Sequence, residues 1–175
     1  MDLVRLTPAH VVALLVASIA CLWDLRCRRI PNTLTLGAAA AAVAFHVIVG
    51  GITGGLTGVA GWLVGVALLF APFALGGMGG GDVKLVGALG AWVGPADAVW
   101  LALYTGIAGG VLAIMFAALR GYLPQAVRNS WSLLMFWRVM GLKPMPPLTL
   151  QSGSAPRLAF AAPILAGTVV TLWLH

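Results

Sequence analysis

From Leu56 to Pro95 the chain reads LTGVAGWLVGVALLFAPFALGGMGGGDVKLVGALGAWVGP. Its first part, to Leu75, is an apolar run of about 20 residues, the length an α-helix needs to cross a hydrocarbon core about 30 Å thick. The run gives way to Gly76-Gly77-Met78-Gly79-Gly80-Gly81, then to a single acid, Asp82, and then to a short apolar run, Val83 to Val93, closed by Gly94-Pro95. Working outward, four more runs flank this pair. One goes from Pro8 to Trp23, opened by Thr7 as an N-cap and Pro8 at the first helical position. Another goes from Thr33 to Val49, after the breaker Pro31-Asn32. The last two are Ala96 to Leu119 and Leu158 to Leu174. The expected fold is an all-α, polytopic membrane bundle of about six transmembrane helices, a single domain over residues 1–175.

Composition agrees. The 175 residues are 61% hydrophobic and 8% charged, whereas a soluble domain carries about a quarter charged residues. A net charge of +6 is a feature of nucleic-acid binders too, but basic residues scattered between apolar runs read as membrane anchors. A lipid bilayer is the expected partner and nucleic acid is not. Only two cysteines, Cys21 and Cys27, are present, too few for a disulfide framework or a paired zinc site. No metal and no cofactor is expected. A secretory signal is the other reading of the first run, but its arginines follow the apolar stretch instead of preceding it.

Lys and Arg in short loops stay on the cytoplasmic side. An N-terminus outside puts Arg26, Arg28, Arg29, Lys84, Arg120, Arg128, Arg138, Lys143 and Arg157 inside and only Arg5 outside. Asp24, after the first run, and Asp82, before the fourth, then share the cytoplasmic leaflet. Residues 120–157 form the one long connection. Val127, Trp131, Leu134 and Met135 with Arg128 and Arg138 suggest an interfacial amphipathic helix, followed by the Pro-rich 143–147; a solvated linker is the alternative.

The four acids are Asp2, Asp24, Asp82 and Asp97. Taken singly, Asp24 reads as an interfacial residue beside an arginine and Asp82 as a helix cap. Together, two carboxylates on one leaflet, one beside a glycine-rich turn, are the parts of an aspartic protease. The fourth run spans only about 16 Å, short of the bilayer core, which sinks Asp82 below the surface and calls for a water-filled cavity open to the cytoplasm. Gly79, Gly80 and Gly81 let a substrate backbone come close. The helix macrodipole favours an anion at Asp82, at a helix start, and disfavours one at Asp24, past a helix end. Asp82 is accordingly expected as the resting base and Asp24 as the acid.

At these residues the chain resembles a known family. Asp24-Leu25-Arg26 with Ile30-Pro31-Asn32, and Gly79-Gly80-Gly81-Asp82-Val83-Lys84-Leu85, are similar to the two signatures of the type IV prepilin peptidases, membrane aspartic proteases named for a GxGD motif. The closing Pro156 to Pro163 is loosely similar to that family's last helix. The resemblance implies that Asp24 and Asp82 are catalytic. It implies prepilins or pilin-like membrane proteins as substrates, cut after a short basic leader at the cytoplasmic border of their apolar helix. It also implies a multi-pass protein of the bacterial inner membrane with its site facing the cytoplasm. Longer family members carry a cysteine-paired cytoplasmic insertion and also methylate the new terminus. Here Trp23 and Thr33 are too close for that insertion, so the chain is similar to the short, peptidase-only form of tight-adherence (Flp) pilus systems, and methyltransferase activity is not expected.

A small proton- or cation-coupled transporter using the same two acids is the rival reading. A phosphate loop over Gly76 to Lys84 lacks its Gly-Lys-Ser/Thr ending, and no His or third acid stands near either Asp in sequence to suit a metal hydrolase. Lys84 is read as tuning the carboxylates or snorkelling, and Arg26 as setting topology and positioning Asp24. His46 reads as packed between helices, Cys21 and Cys27 as buried fillers, and Trp23, Trp92 and Trp173 as an interface belt.

Overall fold

The computed structural model describes residues 7–143 and 159–175, which form helices α1 (Pro8–Cys27), α2 (Asn32–Ala74), α3 (Gly80–Val93), α4 (Pro95–Leu119), α5 (Leu123–Met140) and α6 (Ala161–Leu174). Asp2, Arg5, the Pro-rich residues 144–147, and Pro156, Arg157 and Leu158 lie outside the described residues. Among the described residues, α1, α2 and α4 are each long and apolar enough to cross a membrane, and α6 is a shorter apolar helix.

α2 accounts for the second and third expected spans at once. Gly51 leaves the helix with φ 61 and ψ −151, a conformation that suits a residue without Cβ. The two arms fold back on each other there. Gly58 lies against Val43, Gly54 against the His46 carbonyl and Gly55 against the Val47 side chain, the descending pairing of an antiparallel hairpin. The break is a single residue, and the expected gap over residues 50–55 is otherwise helical. The second arm ends in a Schellman motif at Gly76 (φ 77), with Gly77 N–H donating to the Pro72 carbonyl and Gly76 N–H to that of Phe73, both at 2.9 Å.

The chain then reverses into α3, antiparallel to that second arm. A Cβ at Gly65 would lie 2.7 Å from the Val86 carbonyl oxygen, and Gly61 meets the Gly90 carbonyl. Small residues let the two backbones touch, the usual packing of membrane helices. α3 is enclosed on all sides, with Val83, Leu85 to Trp92 buried, as a helix apolar all round should be. At 14 residues it rises about 21 Å, short of a bilayer core. Its neighbours α1, α2 and α4 face the lipid in its place. On the outside Leu15, Leu63, Ile107 and Ile114, on three different helices, are each more than half exposed, an apolar surface that suits a lipid environment.

Four expectations are corrected. α1 runs on to Cys27, so Asp24 is within a helix and not beyond it. α6 starts at Ala161, three residues later than the sixth run. Trp92 is 5% exposed and packs on Phe45, with ring centroids 5.6 Å apart, so it belongs to the core and not to a belt. Cys21 is buried but Cys27 is exposed, and both are free.

Candidate active site

Asp24 faces inward because it continues a helical stripe. Ala13, Ala17, Ala20 and Asp24 recur four, three and four residues apart on α1, and all four are buried. The stripe packs toward α3 and α6. Asp24 Oδ2 accepts a 3.2 Å hydrogen bond from the backbone N–H of Ala161, the first residue of α6. A helix start presents unpaired N–H groups and the positive end of its dipole. Although α1's own C-terminus disfavours an anion at Asp24, the N-terminus of α6 favours one, and the field argument for Asp24 as the resting acid loses its premise.

Asp82 is the third residue of α3. Its backbone N–H donates to the Gly79 carbonyl at 3.1 Å, and its carboxylate leans back over the same residue: a Cβ on Gly79 would lie 3.0 Å from Asp82 Oδ2. Both carboxylates thus stand at helix starts. α1 packs on α3, and Asp24 near the end of the one and Asp82 at the start of the other stand at the same end of the bundle.

Two contacts lock the segments together. Lys84 Nζ donates to Asn32 Oδ1 at 2.9 Å, across 52 residues of sequence. Ile30 packs on Gly81, where a Cβ would come within 3.4 Å of the Ile30 Cβ. Gly80 is similarly bounded by the Phe73 ring, 3.3 Å from where its Cβ would be. Gly80 and Gly81 are helical, so the glycine-rich turn expected before Asp82 shrinks to residues 75–79. Beside the site, an apolar groove of about 360 Å³ is lined by Ile19, Trp23, Pro31, Thr33 and Leu34.

Of the site residues expected from sequence, Asp24, Asp82, Gly79, Gly80, Gly81 and Lys84 therefore gather at one end of the bundle. Arg26 lies in the last turn of α1 and is exposed; the Asp24 carboxylate hydrogen-bonds to α6 and not to it. His46 is at the opposite end of α3, its Nε2 3.3 Å from the Trp92 carbonyl oxygen, where it serves the end of that helix. Among the described residues no three metal-ligating side chains cluster. Two participants went unassigned in sequence. Asn32 stood inside a quoted motif without a role, and Ala161 acts through its backbone, which no residue type announces.

Residues 11–114 match the profile of the type IV leader peptidase family. No curated protein and no solved structure matches the chain.

Proposed function

This chain belongs to the type IV leader peptidase family, and from that premise we propose that it is an intramembrane aspartic endopeptidase using Asp24 and Asp82. Its substrates are prepilins or pilin-like proteins of the inner membrane, cut at the cytoplasmic border of their apolar helix. The observation that supports this reading is the gathering of the two Asp-bearing signature segments at one end of the bundle, tied by the Lys84–Asn32 hydrogen bond.

Two carboxylates held close do not both ionise readily, and the pair shares a proton. The ionised member takes a proton from water as its oxygen attacks the scissile carbonyl carbon, while the protonated member donates to the carbonyl oxygen. The resulting gem-diol collapses as the amide nitrogen takes up a proton and the C–N bond breaks. A peptide bond inside a helix is hydrogen-bonded and shielded, so the substrate must be extended at the cleavage point. Gly79 keeps the space over Asp82 open for that strand. The short interval from Trp23 to Thr33 holds no second domain, so the product carries a free amino terminus without a methyl group.

The test uses purified full-length protein in detergent, where no ion gradient exists. A prepilin should lose the mass of its leader, and Asp24→Asn and Asp82→Asn should each slow cleavage by roughly 100- to 10,000-fold, the usual worth of a positioned acid or base. Cleavage that survives both substitutions overturns the reading, and a transporter would give none in detergent.

A further inference from the structure

α5 carries three faces where a helix in water needs two. Ala126, Asn129, Leu133, Phe136 and Trp137 form a half-buried stripe. Gln125, Arg128 and Ser132 form an exposed polar stripe. Between them Leu123, Val127, Trp131 and Leu134, spaced four, four and three, are exposed by 37%, 63%, 62% and 55%. Helix α5 contributes no buried residue at all.

Its depth follows from its neighbour. The lipid-facing side chains of α4, among them Val111, Ile114 and Leu119, are exposed right up to its last residue. Arg120 then lies over the Phe116 ring at 4.5 Å, Gly121 turns at φ 71, and α5 begins at Leu123. The apolar stripe of α5 therefore continues a surface already against acyl chains, at the level where the span ends. Its charge has one sign: after Asp97 the sequence contains no acid, while Arg120, Arg128, Arg138 and Lys143 are all basic.

We propose that α5 lies in the membrane interface and binds anionic phospholipid headgroups, its Leu123–Val127–Trp131–Leu134 stripe in the acyl layer and Arg128, Arg138 and Lys143 on the lipid phosphates. Apolar burial supplies the depth, and each cation near an anionic leaflet adds to the attraction. Arg138, four residues after Leu134 and so at the C-terminal end of the apolar stripe, in the last turn of α5, reaches the phosphates by extending its side chain. The inference concerns the lipid alone and holds or fails apart from the peptidase reading.

The test places single spin labels on the full chain in nanodiscs, in a Cys27→Ser background, Cys21 being buried. Labels at positions 127, 131 and 134 should be more accessible to oxygen than to a water-soluble nickel chelate, and labels at 125 and 132 the reverse. Adding phosphatidylglycerol to phosphatidylcholine discs should move the first set deeper. Arg128→Gln with Arg138→Gln should cancel that shift and weaken retention of phosphatidylglycerol by roughly tenfold. Nickel access at every position would make α5 a solvated linker, and protection from both reagents would mean a protein covers it. Depth that ignores phosphatidylglycerol would remove the headgroup contact. Each of these three results overturns the proposal.

Discussion

At Asp24 the decisive neighbour is a backbone group 137 residues away. Ala161 N–H is the donor to its carboxylate, and a hydrogen bond to a charged acceptor is worth about 1.5–3 kcal/mol. Ala161→Pro deletes that donor at the first helical position, where proline is tolerated. The expected result is a roughly tenfold or larger fall in kcat with KM unchanged, restored by Ala161→Gly, which keeps the N–H. Phe160 sits at φ −74 and ψ −12, a conformation that a following proline disfavours, so thermal unfolding is measured alongside; a kcat equal to wild type in a folded variant would show that the bond does not position Asp24. Lys84 makes a different case. Its hydrogen bond to Asn32 joins the two signature segments without touching either carboxylate, so Lys84→Met and Asn32→Ala should lower activity by similar amounts. The double variant should lose little more than either alone, the mark of a shared interaction.

Between elements, contact depends on missing side chains. Gly65→Ala drives a Cβ to 2.7 Å from the Val86 carbonyl and 3.0 Å from the Gly87 Cα, backbone atoms that yield only if α3 moves. Overpacking of this kind costs about 1–3 kcal/mol, and because α3 carries Asp82, cleavage should fall along with the thermal midpoint. Gly106→Ala, with nothing within 4 Å of its Cβ on α4, should be neutral or slightly stabilising, by at most about 1 kcal/mol. Equal effects at the two sites, read by thermal unfolding in detergent, would refute the packing account. This is also where sequence and structure part. Apolar runs and glycine breaks made the spans legible, since both follow from local chemistry. The reach of α1 past Asp24 was not, because the arginines and cysteine of 26–29 look like a loop until Ala13, Ala17 and Ala20 are seen to carry the helix onward. The enclosure of Trp92 and the docking of α6 on Asp24 are tertiary, and neither leaves a periodic trace.

At the scale of the molecule, charge among the described residues is sorted by end. Arg26, Arg28, Arg29, Lys84 and Arg120 gather at the end of the bundle that carries Asp24 and Asp82, at the C-terminus of α1, the N-terminus of α3 and the C-terminus of α4; Asp97 is at the other end, in the first turn of α4. Positive ends of membrane bundles remain in the cytoplasm, and the proposed function requires the carboxylates to face that compartment. The chain carries its own probe of that orientation. Cys27 is a free, exposed thiol at the end of α1, three residues beyond Asp24, and the other thiol, Cys21, is buried. A membrane-impermeant maleimide should therefore label Cys27 in inverted membrane vesicles and not in intact cells, and Cys27→Ser should abolish the signal. Labelling from the cell exterior would place both carboxylates on the wrong side of the bilayer for cytoplasmic cleavage, whatever their distance from each other.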